Sequence, residues 1–488
     1  MNVADLVARR ARETPYAVAI VARSGTVSYR DFDRAIDRMA GGLQAQGVAP
    51  PLAVGISLLA SALHLVTVYA LARLGVAHLT LPIGDSPAAR VALARRFGLW
   101  AVVTDEPRHS LPQWRSLRVD PAWLQAGAAA TPPVLAPTHP DTPWKIVLSS
   151  GTTADPKAVL ATHGIEAGWQ SRGRPDVAFG PGGRLLSLID MNFSYGLRLH
   201  LQALGDGAGV VLASAVDAQS LLREIDVYAV THLAATPRQL MDLVPHLPAG
   251  RPRCPGLRYL SVSGAIMPER LRQQIRSSLS PNLYVKYGSN EIGYVLSASP
   301  QLQAAYPDVL GRPVAGTAYE IVDEDGGRVP AGEVGRIRFR GESFPAAYLD
   351  NPQATAAAFQ DGWFAPGDLA REGADGEIYF MGRADDMINF DGVKLYPVDI
   401  EARLLQHPSV LEAVAFRLPS ERFQDLPAAA VVLRPGSAPV APQALIAFCD
   451  ERLGVRAPRI VHVVPELPKN AMGKVLRRRL AEIFARTA

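Results

Sequence analysis

Short apolar runs alternate with longer stretches of helical spacing through the first two-thirds of the chain. Segments 184–189, 209–213, 232–235, 257–262 and 283–286 read as strands, bounded by polar turn residues. Segments 218–226 and 268–279 place their apolar residues at helical intervals and read as helices between them. Strand and helix in alternation predict layered α/β architecture. The run 52–72 carries no formal charge and is long enough to span a bilayer. His64 and small polar residues interrupt it, Pro51 and Arg73 bracket it, and a second apolar run follows at 76–81. A buried strand–helix–strand unit, apolar on both elements, accounts for that pattern without a membrane.

The pattern changes near Ala318. Segment 318–322, the polar Asp323-Glu-Asp-Gly-Gly327 and segment 335–340 read as hairpins of a β-rich subdomain. It changes again after Gly382-Arg383. Helices at 397–406 and 442–453, strands at 410–418 and 428–433, and a basic terminal helix at 475–485 predict a small α+β unit. The expected division is residues 1–383 as a large unit and 384–488 as a small one. The stretch 126–140, rich in Ala, Pro and Thr, reads as a surface connector.

Composition narrows the class. With 488 residues, one core is too few. Hydrophobic residues make up 48% and charged residues 20%, the balance of a soluble globular chain. Fifty basic against 46 acidic residues, dispersed along the chain, give no argument for nucleic acid. Cys254 and Cys449 are the only cysteines, so neither a disulfide framework nor a cysteine metal site is expected. The charged N-terminus lacks the apolar run of a signal peptide, and a cytoplasmic location is the expectation.

The segment richest in candidate chemistry is Ile146-Val-Leu-Ser-Ser-Gly-Thr-Thr-Ala-Asp-Pro-Lys157. A strand empties into a loop where Ser149, Ser150, Thr152 and Thr153 offer hydroxyls and Gly151 admits close approach to the backbone. Lys157 adds a mobile positive charge. The set suits a polyphosphate, although the Walker spacing is absent and such a loop alone is also a common surface turn. Further on, Tyr287-Gly288-Ser289-Asn290-Glu291 follows a strand, at the end of a sheet where α/β proteins bind ligands. Trp363-Phe-Ala-Pro-Gly-Asp368 sets a carboxylate after a tight turn, suited to paired ribose hydroxyls. Gly382-Arg383-Ala-Asp385-Asp386 marks the boundary between units, Phe390-Asp-Gly-Val-Lys394 makes a glycine turn, and Pro468-Lys-Asn-Ala-Met-Gly-Lys474 brings a lysine to the last helix.

Taken in order, these motifs resemble the adenylate-forming enzymes: acyl- and aryl-CoA ligases, peptide-synthetase adenylation domains and firefly-type luciferases. The resemblance runs from Val27-Ser-Tyr-Arg-Asp-Phe32 to Lys474. It implies that Ser149 to Lys157 grips the β- and γ-phosphates of ATP, that Tyr287 lies against adenine, and that Glu291 coordinates Mg2+. It implies that Asp368 and Arg383 bind the ribose, that Asp385 is the hinge of a mobile small domain, and that Lys474 bridges the carboxylate and the α-phosphate. The implied reaction joins a carboxylic acid to AMP and then passes the acyl group to a thiol. Ala154 and Ala158 stand where the family usually has glycine, Asn290 replaces a threonine, and Pro366 replaces another.

The same resemblance places the acid against Asp190-Met-Asn-Phe193-Ser-Tyr195-Gly-Leu and against Ser263-Gly264-Ala265. Phe193 stands where amino-acid-activating relatives carry an aspartate, which argues against an amino acid. Phe193 and Tyr195 resemble the benzoate-type CoA ligases and suit a flat ring, or simply pack a core. Gly392 falls where the family threads a pantetheine arm, so CoA and a separate carrier protein both remain open as acceptors. A non-catalytic nucleotide-binding relative is the alternative from another class.

Overall fold

The computed structural model describes residues 2–59, 61–119, 133–135, 138–149, 156–177, 179–212, 215–391, 393–420, 422–469 and 473–485. Four sheets organise them. The largest has nine strands in the order Arg312–Pro313, Gly293–Ala298, Leu283–Ser289, Tyr259–Val262, His232–Ala235, Arg184–Ser187, Gly209–Val211, Val18–Ala22 and Gly25–Ser28. Its centre is parallel and its two margins turn antiparallel. The expected strands at 184–189, 209–213, 232–235, 257–262 and 283–286 are all here, with ends moved by up to three residues. Helices Ala218–Val227 and Glu269–Ser278 cross between them, as expected.

The uncharged run 52–72 becomes the strand Ala53–Ser57 and the first part of the helix Ala62–Leu74, followed by the strand Ala77–Thr80. The two strands pair in parallel within a second, six-stranded sheet. That helix is buried from Leu63 to Leu74, which explains its apolar circumference. Its one charge, Arg73, reaches Asp33 at 2.6 Å and Asp37 at 2.5 Å on the neighbouring helix Tyr29–Ala45. A buried guanidinium is tolerated because carboxylates complete it. No helix of the described residues is long and apolar enough to cross a membrane.

The β-rich part is antiparallel, as expected: Ala318–Val322 pairs with Val334–Arg340, and Asp368–Glu372 with Ile378–Arg383. A fourth sheet follows, built from Ile388–Phe390, Val393–Leu395, Val410–Ser420, Gln424–Leu433 and Ile460–Val463. Helices Pro397–Leu405, Pro442–Leu453 and Arg477–Ala485 accompany it, and it has apolar clusters of its own around Ile400, Leu445 and Phe416.

The two large sheets are joined through the core. Tyr29 is fully buried, and its hydroxyl lies 2.8 Å from the Leu204 carbonyl oxygen and 2.7 Å from that of Ala208. Tyr29→Phe leaves both acceptors dry and is expected to destabilise the fold by about 1–2 kcal/mol. The urea midpoint reads the effect, and an unchanged midpoint contradicts it.

Candidate active site

The polar loop begins and ends on paired strands. Pro143–Leu148 and Ala158–Thr162 run antiparallel, with Leu148 opposite Ala158. The Ser149 amide donates to the Lys157 carbonyl at 2.7 Å, which closes the loop's neck. Ser149 and Lys157 therefore stand opposite each other at the end of two antiparallel strands. Ser150, Gly151, Thr152, Thr153 and Ala154 lie outside the described residues, as does Gly392. Lys157, half-buried at the neck, holds its ammonium 5.2 Å from the centre of the Tyr348 ring. Arg96 donates to the Pro156 carbonyl at 2.8 Å and steadies the same turn.

The strand Leu283–Ser289 does not stop before its motif. Tyr287, Gly288 and Ser289 are its last residues, and the chain reverses through Asn290 and Glu291 into Gly293–Ala298. Only glycine fits at 288, where a Cβ would stand 2.1 Å from the Gly293 carbonyl oxygen. The Asn290 side-chain amide donates to the Leu148 carbonyl at 2.7 Å. This residue, which stands where the family usually has threonine, thus fastens the reversal to the strand pair. Glu291 is buried and accepts a hydrogen bond from the Tyr348 hydroxyl at 3.0 Å. Burial, and then the Glu291 carboxylate, hold the Tyr348 hydroxyl firmly protonated.

Asp368 and Arg383 are cross-strand partners in the β-rich sheet, which sets the two side chains together. The Arg383 guanidinium donates to Asp368 Oδ1 at 3.0 Å, and the Tyr287 hydroxyl donates to Oδ2. Gly367 approaches Arg383 closely at φ +83°, a left-handed turn that glycine permits. Burial raises the Asp368 pKa, while Arg383, Tyr287 and Lys474 oppose the rise. Burial pulls Arg383 down, but Asp368, Tyr287 and Asp385 together outweigh it and the guanidinium ends above its ordinary range. The ring of Tyr287 lies 6.0 Å from that of Phe339.

Lys474 comes to this cleft from the opposite end of the chain. Burial lowers its pKa, Arg383 lowers it further, and Asp368 and Asp386 work against both. Two anchors hold its segment. Arg477, three residues on, reaches Asp386 at 3.1 Å and Glu401 at 2.5 Å. Gly473, at φ +78°, packs on Arg238 so tightly that a Cβ would lie 3.1 Å from the Arg238 Cβ. Glu412 then joins the two parts of the molecule, bonding Lys469 with one oxygen and lying 3.8 Å from Arg238 with the other. Arg383 thus lies within electrostatic range of both Lys474 and the Tyr348 hydroxyl, and Lys157 faces the Tyr348 ring. Asp385 is exposed in the single turn Ala384–Asp386.

Phe193, half-buried, begins the helix Ser194–Gly205 as its N-cap residue. Tyr195 places its hydroxyl 2.6 Å from Ser261 Oγ and its ring edge-on to Tyr294 at 6.4 Å. Ser263 is half-buried after the strand Tyr259–Val262, and Gly264 and Ala265 are exposed. Tyr195 thus meets the strand itself rather than the turn beyond it.

Sequence reasoning passed over Tyr348, the aromatic that links Lys157 to Glu291, because nothing in its local pattern marks it. It also missed Arg477, Glu401 and Glu412, whose partners lie far away in sequence. The donor set at Glu291 suits a hard cation: a buried carboxylate, and a buried Ser289 Oγ without a partner among the described residues.

Residues 7–349 match the AMP-binding enzyme family, and residues 399–474 match the AMP-binding enzyme C-terminal domain. The indoleacetate–CoA ligase of Aromatoleum aromaticum is 29% identical, covering 100% of this chain and 99% of that protein. The sulfoacetate–CoA ligase of Cupriavidus necator is 31% identical over 74% of this chain and 70% of its own length. The o-succinylbenzoate CoA synthetase of Bacillus subtilis, solved with its acyl-adenylate intermediate, superposes with a TM-score of 0.88. It is 26% identical, and 97% of each chain is covered.

The chain has only six lysines, so Lys474 is readily followed by NMR after 13C reductive methylation, with Lys474→Arg giving the assignment. Its ammonium is expected to titrate below the ordinary lysine value of about 10.4. Arg383→Met should move the midpoint up and Asp368→Asn should move it down. A wild-type midpoint at or above the ordinary value contradicts the buried placement.

Proposed function

This chain belongs to the AMP-binding enzyme family, and from that membership we propose that it is an ATP-dependent acid–thiol ligase. It activates a carboxylic acid as an acyl-AMP and transfers the acyl group to CoA. The acid is aromatic or otherwise compact. The observation that supports the reading is a set of linked contacts between residues scattered over most of the sequence: Tyr348 joins Lys157 to Glu291, Asp368 pairs with Arg383, and Lys474 lies within electrostatic range of that pair.

The chemistry follows from charge. A carboxylate approaching a polyphosphate is repelled, and the step needs positive groups fixed in advance around the reacting oxygens. Lys157, at the end of the strand pair, holds the outer phosphates together with the hydroxyls of Ser149 to Thr153. Asp368 accepts the ribose hydroxyls, and Arg383 orients that carboxylate. The Tyr287 ring covers one face of the base. Lys474 neutralises the acid's carboxylate and the α-phosphate where they meet. Glu291 would hold magnesium, which when bound offsets the charge on departing pyrophosphate. The second half-reaction needs a thiol where Lys474 had been, so the unit 384–488 turns away about Asp385. Phe193, Tyr195 and the run Ser263-Gly264-Ala265 border the acid.

Acid-dependent pyrophosphate exchange tests the first half-reaction, and thioester formation with CoA or with a phosphopantetheinylated carrier protein tests the second. ATP binding without exchange on any acid sinks the proposal. Lys474→Ala is expected to slow exchange by about a hundredfold or more, the scale of a lost preorganised charge. It should slow thioester formation from pre-made acyl-AMP far less. Equal losses in the two steps contradict its role. Tyr195→Ala should alter the ranking of acids while ATP affinity holds, and an unchanged ranking removes Tyr195 from the acid site.

A further inference from the structure

One face of the large sheet carries cations into the region beside Tyr195. Lys286 lies on the strand Leu283–Ser289 and is only 4% exposed. Its ammonium donates to Ser297 Oγ at 2.7 Å. It stands 4.7 Å from the centre of the Tyr294 ring and 5.7 Å from those of Tyr259 and Tyr284. Lysine is scarce in this chain, with six against 44 arginines, so a lysine on an inner sheet face is not surface filler.

Arg172 approaches from the helix His163–Val177 and is 9% exposed. One nitrogen, Nη2, donates to the Ile292 carbonyl at 2.9 Å. Nε and Nη1 are buried with no hydrogen-bond partner among the described residues, and the guanidinium faces the Phe344 ring at 4.8 Å. Burial lowers its pKa to about 10, and Arg198 contributes to the fall. Glu166, six residues earlier on the same helix, faces Arg198 at 3.8 Å and acts on Lys145. A buried guanidinium with open donors is costly unless something completes it.

The place matters as much as the charge. Ile292, which accepts from Arg172, directly follows Glu291. Tyr294 faces Lys286 on one side and the Tyr195 ring on the other. A molecule seated against Tyr195 thus has Tyr294 beside it, with Lys286 over the Tyr294 ring and Arg172 within electrostatic reach of the Tyr294 hydroxyl. We propose that the acid accepted here carries a second anionic group, a carboxylate or sulfonate, neutralised by Arg172 and Lys286 beside Tyr195 and Tyr294. The inference rests on the function proposed above and narrows its substrate class.

Matched acids decide it: benzoate against phthalate and isophthalate, propanoate against malonate, butyrate against succinate, and propanoate against sulfoacetate. The readout is kcat/KM for acid-dependent pyrophosphate exchange. The expected result is an advantage of about tenfold or more for the dianionic member of at least one pair, as a site with buried donors disfavours a ligand that leaves them unfilled. Arg172→Met and Lys286→Met should bring that pair to parity, Arg172→Lys should keep part of the advantage, and the ATP Kd should stay unchanged in all three. Preference for the monoanion in every pair overturns the inference and leaves the ligase reading standing. So does a dianion advantage that the variants leave intact or lose in equal proportion with the monoanion. Absence of exchange with every acid, with ATP bound, brings down both.

Discussion

The site turns on one buried carboxylate. Asp368 is taken out of water, which favours its neutral form, and it stays useful only because positive and hydroxyl-bearing neighbours surround it. Tyr287 brings the end of the large sheet, Arg383 brings the margin of the β-rich sheet, and Lys474 brings the last loop of the chain. The dependence is mutual. Arg383 and Lys474 repel each other, and Asp368 lies electrostatically between them. Three stretches far apart in the sequence are thereby committed to one geometry.

Local pairing delivers the remaining groups with little freedom. A closed strand pair fixes Lys157, a glycine without room for a methyl group bends the chain after Tyr287, and Asn290 ties the two together. Tyr348 then spans the gap with both ends in use: its ring faces an ammonium and its hydroxyl faces Glu291. Positions set by strand registers and short side-chain bonds suit electrostatic work, which loses its advantage when groups must reorganise.

Much of this architecture was legible in the sequence because it is written at short range. Apolar runs of strand length located the large sheet, and the uncharged segment 52–72 resolved as a buried strand and helix once the following strand was counted. The motifs that flagged Lys157, Glu291, Asp368, Arg383 and Lys474 are compact. The strand ends were less legible. The reading stopped the strand from Leu283 at Lys286, whereas pairing with Gly293–Ala298 carries it to Ser289. The helpers were not legible either. Tyr348 and Glu291 are 57 residues apart, Arg477 and Glu401 are 76 apart, and Arg172 and Ile292 are 120 apart. Nothing in a local pattern announces such pairs, since only the packed fold makes them neighbours.

Glu412 is a shared counter-ion. It bonds Lys469 and lies at 3.8 Å from Arg238, a side chain that is about half exposed. The first contact is mostly buried, while the second is open to screening by dissolved salt. Ionic strength therefore weakens the hold on Arg238 and largely spares the hold on Lys469. One carboxylate thus makes two contacts of unequal sensitivity to the surrounding electrolyte.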